Sequence, residues 1–165
     1  MSQLDYVAQL VAVDGNMKAL NDFSALADEV RNASDEMRKH ACLVACRLAL
    51  NKTGLQSPLV EDALQLIRES KPVSPKIRRN LSRLAHELDQ KYLDLDDAVE
   101  DGVAGEDESL LAFLVARAAA AISLAVSAFC KNSSDDLEDS IYEAVQASGQ
   151  DRGFIASVRA ELSTS

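Results

Sequence analysis

The chain has 165 residues, 17 Lys or Arg against 27 Asp or Glu, a formal charge of −10 and 4% aromatic residues. That length suits one domain, residues 1–165, able to bury roughly 70% of the surface its unfolded chain exposes, so folding needs no metal or disulfide. The acid excess argues against nucleic acid or an anionic membrane as partner and favours a basic protein.

Helix formers dominate, and Val and Ile lack strand-like alternation, so an all-α fold is expected. Seven or eight antiparallel helices would form a bundle, or a short stack of helical hairpins, around a central Ala-rich helix. Leu4, Val7, Leu10 and Val11 recur at helical spacing up to Gly15, which offers a stop. This N-terminal stretch has no basic region, and Asp5 and Asp14 bracket its apolar part, so it does not read as a signal peptide and a cytoplasmic location is expected.

From Met17 to Arg31 the residues Leu20, Phe23, Leu26, Ala27 and Val30 make one helix or two. Ser34 before Asp35 and Glu36 is an N-cap with acids in the first turn, followed by a stripe of Met37, Ala41, Val44 and Leu48 up to a stop near Gly54. Ser57-Pro58 and Ser74-Pro75 each place a capping hydroxyl before a proline at the first helical position. The first opens a helix that ends by Ser70; the second carries Ile77, Leu81, Leu84, Leu88 and Tyr92 on one face.

Leu110 to Cys130 is almost wholly apolar over about the ~20 residues of a membrane span. Arg117 near its middle is costly in lipid, and the stretch is rich in Ala and Ser. It therefore reads as a helix surrounded by neighbours, with Arg117 at an edge or meeting a carboxylate. Ser134 with Asp135 and Asp136 starts another helix, closed by Gly149, and Asp151 caps the last. A faint echo links Val60-Glu61-Asp62-Ala63-Leu64 with Leu137-Glu138-Asp139-Ser140-Ile141, 77 residues on, as two related hairpin halves would.

Chemistry-bearing residues are few. Cys42 and Cys46 lie at i, i+4, and His40, His86 and Cys130 are the other soft ligands; without paired Cys-x-x-Cys knuckles the three cysteines read as reduced, buried thiols and His86 as a solvated or core-edge histidine, and no metal or cofactor is expected. Cys42 sits in an apolar stripe where a thiol is unreactive. No nucleophile elbow, phosphate loop or zinc-protease motif is present, so the protein is expected not to be an enzyme. Lys76, Arg78, Arg79 and Arg83 form a basic cluster that reads as a solvated helix face.

The distinguishing feature is charge. Between Asp89 and Glu108 lie nine carboxylates against Lys91, a net of −8, whereas Arg31 to Leu88 carries a net of +5. Asp94 and Asp96 could begin a calcium loop, but Ala98 takes the third ligand position and Val99 the place of the required Gly. Glu106, Asp107 and Glu108 suit a helix N-terminus, and Asp89 belongs to the preceding helix. Asp94, Asp96, Asp97, Glu100 and Asp101 remain, either as an internal counterweight to the basic portion or as an interface.

The stretch Leu43-Val44-Ala45-Cys46-Arg47-Leu48-Ala49-Leu50-Asn51-Lys52-Thr53-Gly54-Leu55, followed by Ser57-Pro58-Leu59-Val60-Glu61-Asp62-Ala63-Leu64, resembles small acidic all-helical bacterial toxin-immunity proteins, as do Ala116 to Ala121 and Ile141 to Ala144. The resemblance is one of texture and transfers no individual residue. It implies a cytoplasmic protein that binds a basic toxin, such as a nuclease, and blocks its active site; the charge pattern of this chain then puts Asp94, Asp96, Asp97, Glu100 and Asp101 at the interface. The alternative is a helical-repeat scaffold or regulatory module that binds a peptide or protein in a hairpin groove.

Overall fold

The computed structural model describes residues 17–163, with side chains from residue 22 onward; the helix expected over Leu4, Val7, Leu10 and Val11, and its stop at Gly15, lie outside them. The described residues form seven helices and no strand: α1 (Met17–Asn32), α2 (Asp35–Thr53), α3 (Pro58–Arg68), α4 (Pro75–Glu100), α5 (Glu106–Lys131), α6 (Ser134–Ala147) and α7 (Arg152–Ser163). The all-α class is thus the one the residues dictate, and Met17 to Arg31 is a single helix.

Most boundaries follow from capping chemistry. Ser34 Oγ accepts from the backbone N of Met37 at 3.3 Å, and Ser74 Oγ from that of Ile77 at 3.2 Å. Ser57 makes no side-chain cap, so Pro58 at the first position marks the start of α3. Helix α6 begins at Ser134 as expected, and its cap is the preceding Ser133, whose Oγ accepts from the backbone N of Asp136 at 3.3 Å. Asp151 Oδ1 caps α7 by accepting from the Phe154 backbone N at 3.0 Å.

The Ala-rich α5 packs against α2, α3, α4 and α6. Its buried side is small, with Ala116, Ala118, Ala121, Ala125 and Ala128 fully enclosed. On α2 the buried face is Ala41, Cys42, Ala45, Cys46, Ala49 and Leu50, whereas Met37, Val44 and Leu48 of the expected stripe are only half-buried. Small residues occupy the inner face because the backbones come close: Ser140 Oγ of α6 donates to the Ala121 carbonyl of α5 at 2.7 Å, and Cys42 Sγ of α2 donates to that hydroxyl at 3.3 Å. Ile122, Ile141, Ile155, Val145 and Val158 fill the remaining core. The two segments of the sequence echo, around Val60 and Leu137, are both helical and bury Val60, Ala63 and Leu64 in the one and Leu137, Ser140 and Ile141 in the other.

By length and composition α5 is apolar enough to cross a membrane. Arg117, at its middle, meets two carboxylates, Glu143 on α6 at 3.1 Å and Asp89 on α4, and its guanidinium lies 5.6 Å from the Phe113 ring centroid.

Helices α4 and α5 have 26 residues each, about 39 Å at 1.5 Å per residue, and run antiparallel. Asp89 faces Arg117, Tyr92 meets the Phe113 ring at 5.2 Å, and Asp96 faces Ser109. Helix α6 has 14 residues and lies along α5 from Ser127, bonded to Asp136, back to Arg117. The far end of the α4–α5 hairpin therefore extends past the end of α6, and between Gln90 and Phe113 only Ser109 is buried.

Candidate functional site: the acidic end of the α4–α5 hairpin

All five acids singled out from the sequence lie at this far end. The helix expected through Tyr92 continues to Glu100, since residues 93–100 contain no Gly or Pro and place Leu95 and Val99 half-buried in the hairpin. It ends at Gly102, φ 73°, where the Gly102 and Val103 backbone N–H groups return to the carbonyls of Val99 and Ala98 at 3.0 and 2.8 Å. A short link follows, and α5 begins after Gly105 with Glu106, Asp107 and Glu108 in its first turn, where the helix dipole favours them.

The five acids differ in environment. Asp96 is half-buried between the helices and accepts from Ser109 Oγ at 3.2 Å, so it ties α4 to α5 as well as adding charge. Asp94 is exposed and accepts from Gln90 Nε2 at 3.0 Å. Asp97 and Glu100 are exposed on the last turns, and Asp101 is the exposed C-cap. Carboxylates at a helix C-terminus face the negative end of the macrodipole, so this placement costs helix stability.

No ion pair among the described residues joins these five to the basic portion from Arg31 to Leu88. Several cations of that portion pair elsewhere, Arg31 with Glu138, Arg47 with Glu61 and Lys52 with Asp151. Within the run only Asp89 is paired, with Arg117 of α5. The acids lie on the last turns of α4, whereas Lys76, Arg78, Arg79 and Arg83 lie on its first turns.

Sequence reasoning missed the apolar half of the site. Leu93, Val103, Leu110 and Leu111, at 50, 82, 53 and 55% exposure, are the exposed large hydrophobic residues among the described ones, and all four sit on the hairpin end. Leu110 and Leu111 were expected within a surrounded helix; they are open because α6 stops short of them. Unequal helix lengths were the available signal, two helices of 26 residues beside one of 14. Apolar side chains within a polar rim match the anatomy of protein interfaces.

The other soft ligands are dispersed. Cys42 and Cys46 are buried against Ser140, and the adjacent Cys46 thiol together with complete burial pushes the Cys42 thiol well above its ordinary range. Cys130, expected to be buried, is exposed because it lies on the last turn of α5, near its opposite end; His86 is exposed on α4, and His40 Nε2 bonds Glu161 at 2.6 Å. No group of three His, Cys, Asp or Glu among the described residues is arranged to hold a metal ion.

Compared with known protein families, curated proteins and solved structures, the chain matches none.

Proposed function

We propose that this is a non-enzymatic, cytoplasmic binding protein whose acidic hairpin end captures a basic protein, most specifically an immunity protein that blocks a basic bacterial toxin such as a nuclease. The observation that carries the reading is the coincidence, on one projecting end, of acids in a helix-destabilising position with the four exposed large hydrophobic residues. Carboxylates at this density steer a basic partner and pair with Lys or Arg around a phosphate-binding cleft, while Leu93, Leu110 and Leu111 supply the apolar contact that slows release. In the same reading α5 is the central helix of an antiparallel bundle, and the body keeps the hairpin preorganised.

A second reading, a scaffold that binds a peptide in a groove, has one observation in its favour: a cleft of about 510 Å³ between α1, α5 and α6, lined by Phe23, Leu26, Val30, Ile141 and Tyr142. Salt separates the two. Association with a basic toxin domain should slow by roughly 10-fold or more between low and physiological salt if the hairpin end steers it. Replacing Asp94, Asp96, Asp97, Glu100 and Asp101 by Asn or Gln should abolish that dependence; an unchanged rate and affinity would exclude the hairpin end as the interface.

A further inference from the structure

The hairpin has a second pole. Where α4 begins and α5 ends, about 35–39 Å from the acidic end at a helical rise of 1.5 Å per residue, a cleft of about 500 Å³ opens between α2, the α3–α4 link, α4 and α5. Its walls carry three cations from three elements, Lys39, Lys71 and Arg78, and no carboxylate. Lys71 is paired at 2.5 Å with Glu69, which stands outside the lining. Lys39 and Arg78 make no ion pair among the described residues, and the Arg78 Nε is buried with no hydrogen-bond partner. Lys39 Nζ lies 5.8 Å from the Phe129 ring centroid, which holds the ammonium at the cleft. Ile67, Pro72, Val73 and Phe129 give the cleft an apolar wall beside these donors.

In a protein of net charge −10, two cations without an ion-pair partner on one open cleft are an unusual local field. Arg and Lys together suit the geometry of phosphate, and Arg78, which lines the cleft without an ion-pair partner, has donors to offer an oxyanion. The volume lies within the range of small-molecule sites. Of the basic cluster in the sequence, only Arg78 lines this cleft; Lys76, Arg79 and Arg83 are exposed.

We propose that this cleft binds a small phosphate monoester, its phosphate held by Lys39, Lys71 and Arg78 and its organic part against Ile67, Val73 and Phe129. The site is separate from the acidic end and does not depend on what that end binds.

Cys130 lines the cleft and is the exposed cysteine, whereas Cys42 and Cys46 are buried, so maleimide labelling of the intact chain reports on the site. Phenyl phosphate at about ten times its dissociation constant should slow Cys130 labelling roughly tenfold by mass action. Sodium chloride at equal ionic strength and benzyl alcohol should not slow it. Lys39→Gln/Arg78→Gln should lose the protection; if that variant misfolds, Lys39→Gln alone should weaken it with the melting temperature retained. Equal protection by chloride, protection that survives in the folded variants, or protection by a short DNA duplex but not by phenyl phosphate would each overturn the proposal.

Discussion

Arg117 of α5 and Glu143 of α6, whose side chains are 10 and 9% exposed, pair at 3.1 Å where α4, α5 and α6 come together, and Asp89 of α4 reaches the same guanidinium from its more open side. A buried cation of this kind holds the helices in register more than it adds net stability. Arg117→Met should lower unfolding free energy by about 3–5 kcal/mol, because it strands charge in a low-dielectric site. Arg117→Met/Glu143→Gln should recover part of that loss. Urea unfolding checks both, and a single-variant cost under about 1 kcal/mol would show that the pair is solvated.

The hairpin acids make the opposite prediction. Asp97, Glu100 and Asp101 crowd the C-terminal end of α4, where each opposes the helix dipole by about 0.3–1 kcal/mol at low salt. Asp97→Asn/Glu100→Gln/Asp101→Asn should therefore raise the urea midpoint while reducing capture of a basic partner. A gain in stability with a loss of binding is the mark of residues kept for recognition; a fall in the midpoint would refute the dipole argument. Asp96 is left unaltered because its bond to Ser109 fastens the hairpin.

The turn between α4 and α5 offers a paired test. At Gly102 a Cβ would meet nothing within 4 Å, but φ is 73°, so Gly102→Ala should cost about 1 kcal/mol through the backbone alone. Gly105 is an N-cap at φ −85° with open space around it, and Gly105→Ser should add a few tenths of a kcal/mol by capping α5. Amide hydrogen exchange across residues 95–112 should quicken in the first variant and slow in the second.

Two carboxylates should tilt the acid limb of stability in opposite senses. The Phe154 backbone N–H, and then Lys52, hold Asp151 below its ordinary range, so its contribution is complete above the unfolded-state value and vanishes as pH falls through the folded one. Desolvation, and then the charges of Asp136, Glu138 and Asp135, raise Asp139; its ionised form costs stability above the raised value, and that cost is relieved as pH falls through it. Asp151→Asn should thus lose stability at neutral pH and flatten the acid limb, and Asp139→Asn should gain at neutral pH. Melting temperatures from pH 3 to 7 would show the two curves diverging from the parent.

Local signals were legible in the sequence where chemistry is local. Ser34, Ser74, Pro58 and Asp151 fix helix starts through neighbours within four residues, and the structure has them there. On the inner face of α2, Ala41, Cys42 and Cys46 are buried as their residue types suggest, but Val44 and Leu48 are not, because close approach of α5 and α6 selects small side chains such as Ala45 and Ala49. The exposure of Leu110 and Leu111 depends on where α6 ends relative to α5, a non-local relation that no short window contains. The basic cleft joins Lys39 to Arg78 and Phe129 across three helices and was invisible for the same reason.

Because the hairpin end runs on past α6, its outer turns and the tightly packed body answer to different evolutionary demands. Substitutions at Leu93, Asp97 or Leu110 can accumulate without disturbing Ala118, Ala121 or Ile122, whereas any enlargement at those fully buried alanines overpacks the core. Such a division lets recognition drift quickly over a frame that stays fixed, and the pattern of variation among descendants of this chain should record it as a fast tip on a slow stem.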